Sequence, residues 1–301
     1  MATTETGGRF DSTSAVAVLG SACAAAGLEA EDAELLRLGE NAIFRLRDSA
    51  CVVRIGRNMS HWADAAKEVA VSGWLVGRGY PAAKVLGLSQ PLEVDGHPVT
   101  FWEHIDGRNG ARQDVGVLAE LLSELHSLKA PEDFQLPEQA VLDRVRPRIE
   151  SSQVSDADKR LLIETCERLE AELAAVEFPL SPAPTHGDAH VQNLMITASG
   201  PVLIDFERFS WGQPEWDLAT TATEYRTAGW WTDAEYARFV DVYGFDVTAW
   251  SGFDVLRAVN EINMTTWIMQ NVQESEEIAA EYSTRMRTIR AGEPVAAWKP
   301  F

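Results

Sequence analysis

The densest group of chemistry-bearing side chains runs Thr185-His186-Gly187-Asp188-Ala189-His190-Val191-Gln192-Asn193, followed by Ile204-Asp205-Phe206-Glu207. Asp188 sits in a polar loop, where a carboxylate can take a proton from an attacking hydroxyl or orient it. Gly187 permits a tight loop beside it, and His186 can brace that loop through its ring nitrogens. Leu194 to Thr197 and Val202 to Phe206 read as two short strands. Ala198-Ser199-Gly200 between them reads as a three-residue hairpin loop. Pairing symmetric about Ser199 sets Asn193 opposite Asp205, two oxygen ligands at one end of a hairpin and half of a magnesium site. A one-residue shift of register at Pro201 would put the pair on opposite faces. The spacing of His186, Asp188 and His190 also admits a zinc-type hydrolase centre. His61, His97, His104 and His126 form no matching cluster with them.

Together, His186-Gly187-Asp188 with Asn193 and Ile204-Asp205-Phe206-Glu207 resemble the catalytic loop and metal segment of the aminoglycoside phosphotransferase family. That family has a protein-kinase-like fold and is related to the choline, homoserine and fructosamine kinases. The resemblance extends over about residues 35–290. It implies that Asp188 is the catalytic base or hydroxyl-orienting residue, and that Asn193 and Asp205 hold Mg2+ against the phosphates of ATP. It makes Asp217 a bracing residue near a helix start. Leu38-Gly39-Glu40-Asn41-Ala42 corresponds to the loop that covers the nucleotide, where Gly39 and Asn41 would offer backbone N–H groups to phosphates. On the third strand Arg54 stands where many relatives have a lysine, with Glu68 as its ion-pair partner. The backbone of Glu103 and Ile105 would meet adenine.

The elements needed to position these groups are legible. Residues 11–27 read as a capped helix. Residues 42–46 and 51–55 read as a hairpin turning at Arg47-Asp48-Ser49-Ala50. Ser60 reads as the cap of a helix ending near Gly77 and Gly79, and residues 98–103 read as a further strand. Helical periodicity then covers residues 114–128, 141–151, 157–176, 216–227, 233–243, 253–271 and 274–290. The expected class is α+β: a small antiparallel-sheet lobe over residues 1–105 and a larger helical lobe over residues 106–301. The helical part would supply the acceptor pocket. Glu224 and Glu261 can attract ammonium groups, and Trp230, Trp231 and Trp267 can stack on sugars or cations. Arg257 and Glu261, four residues apart, can instead pair on a helix surface.

Composition bounds the partners. In 301 residues, 26 Lys and Arg stand against 46 Asp and Glu, a formal net charge of −20. Such a surface repels nucleic acid and anionic membranes and tolerates a cationic small substrate. The sequence has no apolar run long enough to span a membrane, and the start lacks the order of a signal peptide. Cys23, Cys51 and Cys166 form no metal or disulfide pattern. These features point to a cytoplasmic protein. The expected activity is phosphoryl transfer from ATP to a hydroxyl of a small molecule, with an aminoglycoside-like or amino-sugar acceptor leading. Homoserine- or choline-type metabolites are the alternative within kinases, and a nucleotide-binding regulator without turnover is the alternative outside them.

Overall fold

Alternating burial along two adjacent strands sets the first layer. The structure is a computed structural model that describes residues 10–39 and 41–300. Strands β1 (Ala33–Leu38), β2 (Asn41–Leu46), β3 (Cys51–Gly56), β4 (Leu92–Val94) and β5 (His97–Glu103) form a five-stranded antiparallel sheet in the order β1-β2-β3-β5-β4. Ala42, Phe44 and Leu46 alternate inward on β2, and Cys51, Val53 and Ile55 do so on β3. That face packs on helix α1 (Ser12–Ala26) through Ala15, Val18, Leu19, Ala22 and Cys23. Asp11 caps α1 by accepting from the N–H groups of Thr13 and Ser14, and Gly27 ends it in the left-handed region. The period of two sends Asn41, Ile43 and Arg54 to the opposite face.

Helix α2 (Trp62–Gly77) buries a stripe of Glu68, Val71, Ser72 and Leu75. The expected Ser60 cap is not what starts it. A 3-10 turn, Met59–His61, precedes the helix, and the carboxamide of Asn58 accepts from Ser60 N–H and takes that role. Asn58 sits two residues upstream in extended geometry, which aims its side-chain oxygen at the turn's open N–H groups.

The chain divides into two compact units. Of the described residues, the first contains 10–39, 41–108 and 195–207, and the second contains 109–194 and 208–300. Residues 195–207, which include Asp205, thus belong with the sheet unit, whereas the sequence places them in the helical part. The hairpin strands are β8 (Leu194–Thr197) and β9 (Gly200–Leu203), with β8 neighbouring β6 (Gly107–Asn109). Leu203 bridges in parallel to Ala82, fastened by Ala83 N–H to Leu203 O and Leu203 N–H to Pro81 O.

The second unit is helical: α3 (Val115–Ser127), α4 (Val145–Ser151), α5 (Asp156–Leu173), α6 (Pro214–Thr223), α7 (Asp233–Tyr243), α8 (Phe253–Met269) and α9 (Glu276–Ala291). A two-stranded sheet pairs β7 (Ala183–Thr185) with β10 (Ser210–Gly212). A π-helical turn, Glu224–Ala228, extends α6 and ends at Gly229. Among the described residues, no helix is long and apolar enough to cross a membrane. The three cysteines are free and buried.

Candidate active site

The candidate residues fall into two groups, one in each unit. In the helical unit the loop after β7 carries His186, Gly187 and Asp188. Its backbone is held from α6. Asp217, fully buried, accepts from His186 N–H through Oδ2 at 2.7 Å and from Gly187 N–H through Oδ1 at 2.8 Å. Trp216 Nε1 donates to Gly187 O at 3.0 Å. Pro214 opens α6, and its fixed φ suits a first helical position. The first turn of that helix therefore presents Trp216 and Asp217 to the loop. Asp217 Oδ2 also lies 3.0 Å from His126 Nε2, and His126 Nδ1 lies 2.9 Å from the Tyr243 hydroxyl. The bracing role expected for Asp217 is what the hydrogen bonds show. His126 and Tyr243 behind it were not anticipated. The only signal for His126 was its place directly after the buried stripe Leu118, Leu121, Leu122, Leu125 of α3.

Gly187 has φ +82°, and a Cβ there would stand 2.3 Å from Arg208 O. No other residue type fits that close approach. His186 is buried and its Nδ1 accepts from Asp188 N–H at 3.3 Å, so it braces the loop as expected. The Asp188 carboxylate is half-exposed, with His190 Nε2 at 3.6 Å from its Oδ2. Asn193 Nδ2 donates to Asp188 O at 2.9 Å and stands 3.4 Å from Oδ2. The surrounding protein penalises ionisation of Asp188. The hydrogen bond from His190, the charges of His190 and His186 and the Asn193 amide prevail, holding the carboxyl at about 2. It is therefore an anion throughout the neutral range, suited to orienting and electrostatic work more than to holding a proton.

The hairpin argument for Asn193 and Asp205 does not survive. Thr197 and Gly200 are strand residues, so the loop is Ala198-Ser199, one residue shorter than expected. Asn193 ends the 3-10 turn Val191–Asn193, and Asp205 lies past the end of β9. Neither is a paired strand position, and the register symmetric about Ser199 is lost. Asp205 has φ +66°, a left-handed backbone uncommon for a non-glycine residue. Among the described residues, no three His, Cys, Asp or Glu side chains gather to hold a metal, which removes the zinc-type cluster of His186, Asp188 and His190.

In the sheet unit the group centres on Arg54. Its Nη1 donates to Glu68 Oε2 at 2.7 Å and its Nη2 to Glu207 Oε2 at 2.9 Å. Asn41, with its amide oxygen turned to the guanidinium, accepts from Nε at 3.1 Å and Nη2 at 2.8 Å. Ile43 is paired with Arg54 across the strands, which makes Asn41 the diagonal neighbour. The expected Arg54–Glu68 pair is present, and Glu207 joins it, a residue that had no assigned role. Burial pushes Glu68 up to about 7; Asp205 and Glu207 add to the rise, and Arg54 and Lys67 oppose it. Burial alone would depress Arg54, but the carboxylates of Glu68, Asp205 and Glu207 raise it above its ordinary value. Lys67 Nζ donates to Glu207 O.

Gly39 is less available than expected. Its N–H donates to Asn41 O at 3.0 Å and its carbonyl accepts from Arg57. Glu40 lies outside the described residues. Glu103 closes β5 with its N–H donating to Lys84 O at 2.8 Å, and Ile105 lies just beyond the strand.

The acceptor candidates divide. Glu224 opens the π-helical turn and accepts from Trp231 Nε1 at 2.8 Å. Burial raises it to about 7 against the pull of His190 and the Trp231 N–H, and the Asp188 charge adds to the rise. Those mutual fields place Glu224 in the neighbourhood of the Asp188 loop. Glu261 is taken up by the fold: its Oε1 accepts from Thr227 Oγ1 at 2.6 Å and Arg257 Nη1 at 2.5 Å, and it is 2% exposed. The Arg257–Glu261 pair is thus buried, not on the surface. Trp230 spends its indole N–H on Trp298 O, and Trp267 is exposed on α8.

A family model described as the phosphotransferase enzyme family matches residues 33–257, about three quarters of the chain and both groups of candidate residues. The chain belongs to the phosphotransferase enzyme family. Solved structures of similar fold include an amicoumacin kinase in complex with AMP-PNP, Ca2+ and Ami, at 14% identity. That match covers 95% of this chain and 97% of the other, with a TM-score of 0.72. The choline kinase LicA from Streptococcus pneumoniae is 17% identical over 91% of this chain and 98% of its own, with a TM-score of 0.66. The aminoglycoside phosphotransferase APH(3'')-Id from Streptomyces rimosus ATCC10970 is 18% identical over 83% and 98%, with a TM-score of 0.59. At these identities the likeness establishes the kinase-like α+β fold. No curated protein matches the chain.

Proposed function

We propose that the protein is an ATP-dependent small-molecule kinase that transfers the γ-phosphoryl group to a substrate hydroxyl. The observation that carries this reading is Asp188, held ionised on a loop whose two preceding N–H groups are locked by Asp217. In this role Asp188 accepts the hydrogen bond of the attacking hydroxyl and fixes its direction, and His186 and Asn193 hold the loop behind it. Phosphoryl transfer asks the protein chiefly for such positioning and for charge neutralisation.

The donor set suits Mg2+. Asn193 uses Nδ2 on Asp188 O, which leaves its oxygen for a hard cation, and Asp205 supplies a carboxylate from a constrained backbone. Magnesium, when bound, neutralises phosphate charge. Arg54, with Glu68 behind it, would hold the nucleotide phosphates, and Glu103 and Ile105 would meet adenine through their backbone. Glu224 is the acceptor-side residue best supported by its surroundings, which favours an acceptor that carries an amine. An aminoglycoside-like antibiotic or amino sugar leads among these, and transfer to an antibiotic would confer resistance. A reaction that consumes ATP fits the cytoplasm.

The deciding experiment is transfer from Mg-ATP across aminoglycosides, macrolides, nucleoside antibiotics, amino sugars, homoserine and choline, read by product mass. A product heavier by about 80 daltons, one phosphoryl group, that is lost at least about a hundredfold in Asp188→Asn is expected. Transfer at the wild-type rate in Asp188→Asn overturns the assignment of Asp188. Mg-ATP binding with no product from any acceptor supports the regulator reading instead.

A further inference from the structure

Helix α6 runs into the π-helical turn Glu224–Ala228, and Gly229 reverses the chain at φ +71°. A helix end leaves carbonyls that need donors from elsewhere. Glu224 O finds them nearby, in the N–H groups of Gly229 and Trp230. Ala228 O takes its donor from beyond α9: Trp298 N–H, at 3.0 Å. The bond is returned, because Trp298 O accepts from Trp230 Nε1 at 2.6 Å. Residues 228–230 and Trp298 are thus tied together by bonds of opposite sense.

Trp298 is itself anchored. It is buried, its Nε1 donates to Thr288 Oγ1 at 3.3 Å, and the guanidinium carbon of Arg285 lies 4.9 Å from its ring centre. Arg285, also buried, donates to Lys299 O, Met264 O and Glu281 Oε1, each at 2.8 Å. Helices α8 and α9 therefore hold the segment that holds the turn. Directly after Trp230 comes Trp231, whose Nε1 donates to Glu224 Oε2 at 2.8 Å. On its other side Thr232 caps α7. Thr227 Oγ1 on Glu261 and the Tyr225 hydroxyl on Asp233 fasten earlier residues of the turn. The Trp298 carbonyl fastens the residue next to Trp231. A buried carboxylate that loses its donor is costly, so the placing of this indole governs the state of Glu224.

We propose that Trp298 is a positioning residue for the acceptor side of the site: through Ala228 and Trp230 it sets the Trp231 indole on the Glu224 carboxylate. Without that anchor Trp231 swings off Glu224, and the carboxylate meets the acceptor's amine in no fixed direction. The proposal rests on the kinase reading above and on Glu224 as the residue that meets an amine. It concerns the acceptor alone, so Mg-ATP serves as the internal control.

The test is transfer to the amine-bearing acceptor that wild-type protein phosphorylates, with KM measured separately for that acceptor and for Mg-ATP. The Trp231 indole N–H is followed by NMR, and unfolding midpoints are recorded. Trp230→Phe keeps an aromatic ring and removes the bond to Trp298 O, and Trp298→Ala removes the anchor on Arg285 and Thr288. Both are expected to raise the acceptor KM about five- to tenfold, to change the KM of Mg-ATP less than about twofold, and to shift the Trp231 resonance. Trp298→Phe keeps a ring under Arg285 and both backbone bonds, and is expected to stay within about twofold of wild type in acceptor KM. The rise is expected to vanish in a Glu224→Gln background. Should Trp298→Ala fail to fold, Trp230→Phe decides. An unchanged acceptor KM in folded Trp230→Phe overturns the proposal, as does an equal rise in both KM values or a rise that persists in Glu224→Gln. Wild-type protein that phosphorylates only acceptors without an amine overturns the reading of Glu224, and one that phosphorylates none overturns the kinase reading; the proposal falls with either.

Discussion

Asp188 and Glu224 are both carboxylates, and their surroundings drive them in opposite directions. Asp188 is held at about 2 and Glu224 is raised to about 7. The difference lies in partners. Asp188 is half-exposed and faces His190, His186 and the Asn193 amide, whereas Glu224 is buried with one indole N–H on its carboxylate. The linkage for Glu224 has a definite sign. Between its ordinary value of 4.5 and about 7 the folded protein keeps a proton that the unfolded chain releases. Its contribution is full below 4.5 and is lost as pH rises through 7. Glu224→Gln should remove up to about 3 kcal/mol of the fall in stability between pH 4.5 and 7.5. Urea unfolding at the two pH values measures this, and an undiminished fall in the variant would contradict the burial argument. Glu68, raised to about 7 as well, adds a slope of the same sign, which Glu224→Gln leaves in place.

At the scale of elements, the Asp188 loop is shaped by α6 and by one glycine. Asp217 serves two backbone N–H groups and His126 with two oxygens, so Asp217→Asn leaves one acceptor oxygen where there were two. A loss of about 2 kcal/mol, with transfer reduced more than Mg-ATP affinity, is the expected outcome, read by thermal unfolding and kinetics together. Equal loss of both activities would make Asp217 a general stabiliser instead. Gly187 and Gly27 form an internal comparison. Both have positive φ, but a Cβ at Gly187 would meet Arg208 O at 2.3 Å, and at Gly27 nothing lies within 4 Å. Gly27→Ala should cost about 1 kcal/mol from backbone strain alone. Gly187→Ala should cost several-fold more, because the carbonyl of Arg208 has to move. Similar unfolding midpoints for the two variants would refute the close approach.

For the whole molecule the governing quantity is the net charge of −20. An anionic nucleotide approaches an anionic protein, so salt screens a repulsion and not an attraction. The association rate of Mg-ATP should rise about two- to fivefold between 20 and 500 mM NaCl, read by stopped-flow quenching of tryptophan fluorescence. A cationic acceptor should behave oppositely, its KM rising over the same range. A nucleotide rate that falls with salt would mean that a local positive field outweighs the total.

The sequence by itself determined the secondary elements and the family. Hydrophobic period and turn chemistry are local, so α1, the β2–β3 hairpin and the helices from α3 onward lie close to where the pattern sets them. His186 and Asp188 were singled out because their types and spacing lie within one short segment, whereas Asp217 was singled out by the family resemblance alone. The local errors came from small displacements. A hairpin loop one residue shorter undid the Asn193–Asp205 pairing, and a cap two residues earlier replaced Ser60 by Asn58. Only the tertiary structure decided who meets whom across long stretches of chain. It brought Glu207 to Arg54 from 153 residues away and His126 to Asp217 from 91. It also drew Glu261 into a buried bond with Thr227, 34 residues upstream. Side-chain periodicity records which face a residue presents to its neighbours, but not which distant segment packs there. Partner choice, and with it the charge state of each carboxylate, is settled by the packing of the folded chain.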